Sequence, residues 1–523
     1  MYSAEEKICT CHSSRIEHRV VFLSIFTNNF YTNIMNDLRT KFKVACLFLL
    51  FLYLFNFSAN ASDIVKNGNF EFALDKIEQS GWNISPTTQK NSITIDKNIS
   101  HSGRSSIFLS GKVDAVTELA QFIDPSNLKS HNVRFNIFVK SEAFDADSKF
   151  FIYAAGIGSL KGRIIFNKNI AKIVYLNNGW INISCFGYVE NDVTKVAFGL
   201  KLVGHGKIWV DDVSADVLPD RAPVSESASE NINYVFELVK NNSVNRSKID
   251  WDRLRSDIYI RSSGAASLED SYSPLNFLLR SLGDNHSYFR YDDAVIPGDS
   301  KINLPSGKMI QKNIAYISLP SFSDLNRDKM KEYVASAASI ILTLERYEPA
   351  GWVVDLRDNT GGNMWPMLAG IGSMLGEGTL GNFVYPNGAI QSWSYSLALN
   401  NIGLKISEYP LPKSKDLLSK PVAILIDGHT ASSGEAVLIA FKGRDNTRSF
   451  GAPTAGVPTA NVTHVLPDGT RMNLTEAYMS DRNGVIYEGP IQAEQPLSTS
   501  KLENFDTDSY IVSSVEWITN YKH

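Results

Sequence analysis

The chain has 523 residues, of which 43% are hydrophobic and 20% are charged. This composition is ordinary for a globular protein, and the length exceeds what one hydrophobic core usually holds, so we expect at least two domains. The formal net charge is −4 and no basic segment dominates, which argues against nucleic-acid binding.

The N-terminal region has the pattern of a secretion signal. Basic residues precede an apolar run at residues 44–57, and an Ala-x-Ala site that ends at Ala61 follows. This pattern predicts a signal peptide that begins at Met35 and is cleaved after Ala61, with residues 1–34 as an upstream extension. We therefore expect a secreted or periplasmic protein. An uncleaved anchor is the alternative, although the run is short for a membrane-spanning helix.

Three of the four cysteines, Cys9, Cys11 and Cys46, lie in this N-terminal region. Only Cys185 would remain after cleavage, so no internal disulfide is expected. The sequence predicts that Cys185 is a buried small hydrophobic residue.

Residues 62–218 contain short β-rich runs separated by turn residues and lack long helical periodicity. The clearest runs lie at residues 105–109, 133–139, 150–153, 180–185, 195–202 and 207–213. This regular spacing predicts an all-β sandwich.

Three segments of this region resemble jelly-roll carbohydrate-binding modules: N-G-N-F-E-F (67–72), S-G-R-S-S-I-F-L-S-G (102–111) and G-K-I-W-V-D-D-V (206–213). By this resemblance, Glu71 and Asp212 are candidate ligands of a structural calcium, although such a site needs several more oxygens. Trp82 and Trp180 are candidates for stacking on a sugar ring, with a core position as the alternative. The resemblance implies either glycan binding or a positioning role, and we favour positioning.

Residues 219–230, P-D-R-A-P-V-S-E-S-A-S-E, have the composition of a linker. Residues 231–282 show apolar residues at helical spacing. Farther on, predicted strands at residues 314–319, 352–356 and 422–426 alternate with helices. This alternation predicts an α/β domain over residues 231–523, with a mainly parallel sheet covered by helices.

Three polar motifs stand out in the second domain: L-G-D-N-H-S (282–287), D-L-R-D-N-T-G-G (355–362) and D-G-H-T-A-S-S-G-E (427–435). The last motif joins a buried strand to a helix through a sharp turn. Ser432 would then lie at the start of the helix, where free backbone N–H groups can stabilise an oxyanion. Taken alone, Ser432 is better explained as a helix N-cap.

Together, the three motifs resemble peptidase family S41, which includes the C-terminal processing proteases and the tricorn core protease. The resemblance covers about the last three-fifths of the chain. It implies a serine peptidase with a ClpP/crotonase-like α/β core, a helical cap and a protein or peptide substrate. Many members insert a PDZ domain after the histidine motif, but only 26 residues separate His286 from the next predicted strand at residue 313. A PDZ domain is therefore not expected, and recognition of a substrate's C-terminus is in doubt.

The resemblance also implies the catalytic groups. One branch of the family uses a lysine directly after a Gly-x-Pro-Thr-x-Gly segment, but here that segment, residues 451–456, is followed by Val457. The tricorn-like branch uses a histidine instead. By resemblance, Ser432 is then the nucleophile, His286 the general base and Glu488 the carboxylate that orients the imidazole.

Each assignment has an alternative. Ser433 competes as the nucleophile, and His429 and His464 compete as the base. His286 alone could be a structural residue at a helix end, and Glu488 a surface carboxylate. Glu435 is expected to brace the turn, while Asp355 and Arg357 are expected to fix the neighbouring loop.

The oxyanion is expected to bind the backbone N–H of Ser433 and that of Gly361 or Gly362, of which we favour Gly361. Trp365 and Trp393 are candidates for the walls of the substrate cleft, with buried packing as the alternative. The sequence shows no metal-binding or cofactor motif, so no cofactor is expected. The competing function is a catalytically silent protein that binds an apolar ligand or a glycan. No membrane association is expected after signal cleavage.

Overall fold

The computed structural model describes residues 64–72, 80–85, 88, 92–112, 115–143, 145, 148–158, 163–169, 179–290, 302–396, 401–402, 404–405, 415–498 and 504–521. The predicted signal peptide, its cleavage site and the upstream extension lie outside these residues. Residues Val65–His523 form one compact unit. Among the described residues, no helix combines the length and apolar character that a membrane crossing requires.

The N-terminal part of this unit is a sandwich of two five-stranded sheets in which all neighbouring strands are antiparallel. In spatial order, the first sheet contains β1 (Trp82–Ile84), β4 (Val116–Ile123), β9 (Val193–Val203), β6 (Lys149–Gly158) and β7 (Arg163–Asn169). The second contains β2 (Ile93–Asp96), β3 (Ser106–Gly111), β10 (Gly206–Val217), β5 (Asn132–Glu142) and β8 (Ile181–Tyr188). The predicted jelly-roll sandwich is confirmed.

Alternation of side chains along the strands creates the sandwich core. From Val133 onwards, every second residue of β5 is buried, as expected for a strand with one face in the core. Phe135 of β5 stacks on Phe198 of β9 with ring centroids 4.4 Å apart, which joins the two sheets. Trp82 is also a core residue with 1% exposure, so it cannot stack on an external sugar. Cys185 is the buried free thiol that the sequence predicts.

Three helices follow the sandwich and form the predicted helical cap: α1 (Glu226–Asn242), α2 (Trp251–Ser262) and α3 (Tyr272–Ser281). Helix α1 begins inside the predicted linker. The Ser225 side chain accepts a hydrogen bond from the Ala228 N–H, and Glu226 lies in the first turn. An N-cap serine and an acidic first turn both stabilise a helix start, so a polar segment that resembles a linker is partly helical.

The C-terminal part contains a six-stranded sheet. Its spatial order is β12 (Ser306–Ile310), β13 (Ile314–Ser318), β14 (Trp352–Asp355), β19 (Val422–Ile426), β20 (Thr447–Gly451) and β24 (Gln495–Pro496). Strand β12 pairs antiparallel with β13, and the other neighbours are parallel. Every residue of β14 and β19 is buried, as expected for strands covered on both faces.

Helices cover both faces of this mainly parallel sheet, as the sequence predicts. They are α4 (Arg327–Glu345), α5 (Met364–Gly370), α6 (Gly372–Leu375), α7 (Lys415–Ser419), α8 (Ser433–Phe441) and α9 (Ser509–Thr519). Residues of α4, α5 and α8 share one apolar core with the sheet, and α9 contributes to the core on the other face.

A second six-stranded sheet completes the domain around its long strand β22 (Arg471–Asp481). The remaining strands are β11 (Tyr288–Arg290), β15 (Gly378–Val384), β16 (Ile390–Tyr395), β21 (Thr459–Val465) and β23 (Ile486–Tyr487). A short hairpin is formed by β17 (Asn401–Ile402) and β18 (Leu404–Lys405). Met472 and Leu474 of β22 pack against the cap helices, so this sheet links the cap to the α/β core.

Candidate active site

Ser432 lies at the sharp turn between β19 and α8. Its backbone has a φ of 53° and a ψ of −112°, a conformation that costs energy for a residue other than glycine. Every residue of α8 from Ser433 to Phe441 is buried, so the helix behind the turn is firmly held. The surrounding fold therefore maintains a strained, half-buried serine at the end of a buried strand.

Glu435 braces this turn, as the sequence predicts. Its Oε2 accepts hydrogen bonds from the backbone N–H of Ser432 at 2.8 Å and of Val457 at 3.0 Å. Its Oε1 accepts from Thr454 Oγ1 at 2.6 Å and from the Gly456 N–H at 3.1 Å. Glu435 is fully buried, and burial raises the pKa of its carboxyl against the opposing effect of these donors. One carboxylate thus ties the serine turn to the segment that follows β20.

His286 lies in the loop between α3 and β11. Asp284 shapes this loop, because its Oδ1 accepts the backbone N–H groups of His286 and Ser287, both at 2.9 Å. The Asn461 side chain of β21 donates to the carbonyl of His286 at 2.9 Å. The backbone of the histidine is therefore fixed from two sides.

The imidazole of His286 is directed at β21. Its Nδ1 lies 2.7 Å from Oγ1 of Thr459, the first residue of that strand. Burial lowers the pKa of His286, and the negative charge of Asp284 partly opposes this change. A neutral imidazole is therefore favoured around neutral pH, which is the form that can accept a proton.

His286 and Ser432 are connected through one short segment. Thr459 contacts both the imidazole and the carbonyl of Val457, and the N–H of Val457 shares the Glu435 carboxylate with Ser432. Among the described residues, no hydrogen bond joins the Ser432 hydroxyl to the imidazole directly. Such catalytic hydrogen bonds commonly form only in the complex with substrate.

Glu488 does not contact His286 in the described part of the chain, so the structure corrects the predicted neighbour of the imidazole. The Glu488 side chain is 60% exposed, and its Oε2 accepts from Lys248 Nζ at 3.0 Å. Thr459, rather than Glu488, is the residue that contacts the imidazole at Nδ1. Sequence reasoning missed Thr459, although it lies only three residues beyond the Gly-x-Pro-Thr-x-Gly segment.

The loop after β14 brings glycine backbone next to Ser432. A Cβ atom on Gly361 would lie 2.8 Å from the Ser432 Cβ and 3.0 Å from the Ser433 nitrogen. Gly361 also has a φ of 96°, which favours glycine. This contact explains why no side chain fits at position 361.

The backbone N–H groups near Ser432 differ in whether they already have an acceptor within the protein. The Gly361 N–H, which the sequence analysis favoured as an oxyanion donor, donates to Asn359 Oδ1 at 3.0 Å. Within the described residues, no protein acceptor is recorded for the N–H of Gly362 or Ser433. Among the described residues, the N–H groups of Gly362 and Ser433 are therefore available to a bound acceptor, whereas that of Gly361 is already engaged.

A buried ion-pair network supports the loop. Arg357 Nη2 lies 2.7 Å from Asp355 Oδ2, and its Nη1 lies 2.7 Å from Asp508 Oδ2. All three side chains are at most 1% exposed. Asp355 and Arg357 thus have the supporting contacts that the sequence predicts.

The competing nucleophile and bases have other partners. Ser433 Oγ donates to the Gly362 carbonyl at 2.7 Å. His429 is exposed and pairs with Asp358, while His464 pairs with Glu476. Ser433, His429 and His464 therefore each have a partner other than Ser432.

Trp393 is 2% exposed, so the expectation that it lines the cleft is corrected. A Cβ on Gly381 would lie 2.2 Å from its ring, which shows that Trp393 fills space inside the domain. Trp365 is half-buried and packs against the same core.

The sandwich residues proposed for calcium are engaged within the protein. Glu71 accepts the backbone N–H groups of Arg104 and Ser105, and Asp212 contacts His101 and Ser102. Among the described residues, the only cluster with metal-ligand spacing is Asp358, Asp427 and His429, which does not include them. Trp180 packs edge-on against His101 with centroids 5.6 Å apart.

Comparisons with known proteins agree with the motifs. The model of peptidase family S41 matches residues 313–493, which include Ser432 but not His286. The chain is 27% identical over 270 residues to the nisin-resistance protein of Lactococcus lactis subsp. lactis, covering 51% of this chain and 80% of that protein. It is 24% identical over 207 residues to the carboxy-terminal processing protease CtpA of Bacillus subtilis (strain 168), covering 38% and 39%. A solved lipoprotein from Streptococcus agalactiae aligns with 58% of this chain and 99% of its own, at 26% identity and a TM-score of 0.48.

Proposed function

Because residues 313–493 match the model of peptidase family S41, we propose that the chain is a secreted serine endopeptidase with Ser432 as the nucleophile and His286 as the general base. The observation that carries the proposal is the strained backbone of Ser432, held at the head of a buried helix beside a glycine loop. Strain of this kind clusters at active sites, where the surrounding fold holds it in place.

The reaction follows from the groups around the turn. The Nε2 atom of His286 takes the proton of the Ser432 hydroxyl while the hydroxyl oxygen attacks the substrate carbonyl. The N–H groups of Ser433 and Gly362 then donate to the oxyanion, and each donor of this kind contributes about 3 kcal/mol in the transition state.

The second half of the cycle regenerates the enzyme. The imidazolium of His286 gives its Nε2 proton to the leaving amine, and the substrate's acyl group stays on Ser432. Water then attacks the acyl-enzyme with His286 again acting as the base. This scheme assigns no step to Glu488, because its contact in the structure is with Lys248.

We also propose that the sandwich holds a fixed position on the peptidase. Arg261 of α2 forms two hydrogen bonds to Glu190, with Nε–Oε1 at 3.0 Å and Nη2–Oε2 at 2.8 Å. Arg134 of β5 contacts Asp270 at 2.8 Å. Three of these four side chains are no more than 16% exposed, and Glu190 is 23% exposed. The contacts support a positioning role rather than a freely tethered binding module.

The proposal for location rests on the N-terminal sequence pattern. A basic region, an apolar run and an Ala-x-Ala site precede the sandwich, which is the order expected of a signal peptide. N-terminal sequencing of the protein recovered from culture medium or periplasm tests this part, and a start at Ser62 is the expected result.

A fluorophosphonate probe tests the catalytic assignment. We expect covalent labelling that maps to Ser432 by peptide mass spectrometry, and complete loss of labelling and peptide hydrolysis in Ser432→Ala. Ser433→Ala is the matched control, which should retain labelling because its hydroxyl is bonded to the Gly362 carbonyl. Normal hydrolysis by Ser432→Ala, or absence of labelling in the folded wild type, would contradict the proposal. The second result would favour the catalytically silent binding protein.

A further inference from the structure

We propose that Thr459 is the positioning residue of the catalytic base: its hydroxyl oxygen accepts the Nδ1–H of His286 and leaves Nε2 free to take the proton of Ser432. The inference rests on the proposed function. It assigns to a neutral hydroxyl the task that a carboxylate performs in a Ser-His-acid triad.

The contact is short and largely sheltered from water. Thr459 Oγ1 lies 2.7 Å from His286 Nδ1, and Thr459 is 5% exposed. A hydrogen bond at this distance fixes the rotation of the imidazole ring. The ring orientation is therefore set by the start of β21.

A second contact of Thr459 favours one direction for this hydrogen bond. Its Oγ1 lies 3.5 Å from the carbonyl oxygen of Val457. A carbonyl oxygen can only accept, so the hydroxyl proton is directed at Val457 and an oxygen lone pair remains for the imidazole. The proton of neutral His286 then resides on Nδ1, and the lone pair resides on Nε2.

This tautomer is the one that base catalysis requires. If Thr459 donated to Nδ1, the proton of the neutral ring would lie on Nε2, and that atom could not accept the proton of Ser432. With Thr459 as acceptor, Nε2 gains the proton of Ser432 during attack and loses it to the leaving amine, while the Nδ1–H bond stays intact.

The positioning group and the nucleophile are held by the same buried residue. The Val457 N–H and the Ser432 N–H both donate to Glu435 Oε2. The Thr459 N–H donates to the Val457 carbonyl at 2.8 Å, which closes the turn. A shift of this segment would therefore move the base and the nucleophile together.

The charges around the imidazole come from other elements. Asp284 is the carboxylate that acts on His286, and it is bonded to backbone N–H groups of its own loop. The Glu488 carboxylate is paired with Lys248, and the Glu435 carboxylate accepts from backbone N–H groups and from the Thr454 hydroxyl. A carboxylate at position 459 would therefore add a new negative charge at Nδ1.

The test measures the rate of fluorophosphonate labelling of the purified mature protein from pH 4 to 9. Thr459→Ser keeps the acceptor and should react within about threefold of the wild type. Thr459→Val keeps the shape but removes the acceptor, and its rate should fall about 100-fold. Thr463→Val, on the same strand, is the matched control and should react normally, because Thr463 Oγ1 contacts Asn473 instead of the imidazole.

Thr459→Asp provides a readout that a purely structural role would not give. The added carboxylate stabilises the imidazolium, so the acidic limb of the pH profile should move upward by about one pH unit. This shift is measurable even if the maximal rate changes or if Thr459→Val fails to fold. Wild-type rates in folded Thr459→Val, or an unshifted acidic limb in Thr459→Asp, would overturn the positioning role. Either result leaves the peptidase proposal intact as long as Ser432→Ala abolishes labelling.

Discussion

The carboxylate of Glu435 accepts a hydrogen bond from the backbone N–H of Ser432, at 2.8 Å, from a position three residues farther along the chain. It also accepts from the Val457 N–H. A fully buried carboxylate with four protein donors is costly to disturb, because each donor loses its acceptor at once. The nucleophile and the segment that carries Thr459 therefore depend on a single side chain.

We expect Glu435→Gln to lower both stability and activity. The amide replaces an oxygen with an NH₂ group that faces at least one N–H donor, so the free energy of unfolding should fall by about 1–3 kcal/mol. Denaturant titration measures this loss, and probe labelling measures the accompanying loss of reactive Ser432. Glu332→Gln on the exposed side of α4 is the control. Equal stability of the two variants would show that the buried hydrogen bonds of Glu435 contribute little.

The lowered pKa of His286 predicts the pH dependence of labelling. Burial disfavours the imidazolium, so His286 stays neutral at pH values where an exposed histidine is partly protonated. The acidic limb of the rate profile should therefore lie below the ordinary histidine pKa of about 6.5.

Asp284→Asn tests the direction in which the acidic limb of this profile moves. The charge of Asp284 raises the pKa of His286, so its removal should move the acidic limb to lower pH. Asparagine keeps an oxygen that can accept the backbone N–H groups of the loop, which limits structural damage. A limb that moves upward would show that another group controls the titration.

Gly361→Ala should abolish activity. The new methyl group would lie 2.8 Å from both the Ala431 carbonyl oxygen and the Ser432 Cβ, at a φ of 96°. Labelling should fall at least about 100-fold, because the loop and the serine turn cannot both keep their positions.

The control for this substitution is Gly388→Ala in the turn between β15 and β16. Gly388 also has a positive φ of 84°, but an added Cβ meets no heavy atom within 4 Å. Gly388→Ala should lower the free energy of unfolding by about 1 kcal/mol and leave the rate of labelling unchanged. Equal activity of the two variants would mean that close approach of position 361 to Ser432 is not required.

Local patterns were sufficient to predict the turn that carries Ser432. The run at residues 422–426 is apolar and β-branched, and it coincides with β19 (Val422–Ile426) in the structure. Polar residues and a glycine end the strand, and helical spacing resumes directly afterwards. Strand, turn and helix each depend on neighbouring residues, so they can be predicted from the sequence alone.

The partner of His286 could not be predicted in this way. His286 and Thr459 are 173 positions apart, and their contact depends on the register of β21 against β22 and on the loop shaped by Asp284. The exposure of Glu488 is likewise a tertiary property, since its pairing with Lys248 depends on where the cap lies. Sequence patterns indicate element types but not these distant contacts.

Glu488→Gln tests whether Glu488 orients His286, as the sequence predicts, or only pairs with Lys248, as in the structure. An exposed ion pair contributes about 0–1 kcal/mol, so we expect labelling within about threefold of the wild type. Lys248→Met, which removes the other partner of the pair, should have a similarly small effect. A loss near 100-fold in Glu488→Gln alone would restore Glu488 as the group that orients His286.

Substitution of Arg261 tests whether the β-sandwich holds a fixed position on the peptidase domain. Its guanidinium is 13% exposed, forms two hydrogen bonds to Glu190 and lies 3.7 Å from the centre of the Phe277 ring. Arg261→Ala leaves Glu190 without this partner, and we expect the sandwich to separate from the cap at a lower denaturant concentration than the peptidase core unfolds.

Fluorescence-monitored unfolding, together with small-angle scattering at intermediate denaturant, measures this separation. The control is Arg253→Ala, because Arg253 is an exposed residue of the same helix. A partly buried, hydrogen-bonded ion pair that loses one partner should cost more stability than an exposed ion pair, which contributes about 0–1 kcal/mol. A single cooperative transition in Arg261→Ala, with the same midpoint as in Arg253→Ala, would show that other contacts fix the sandwich.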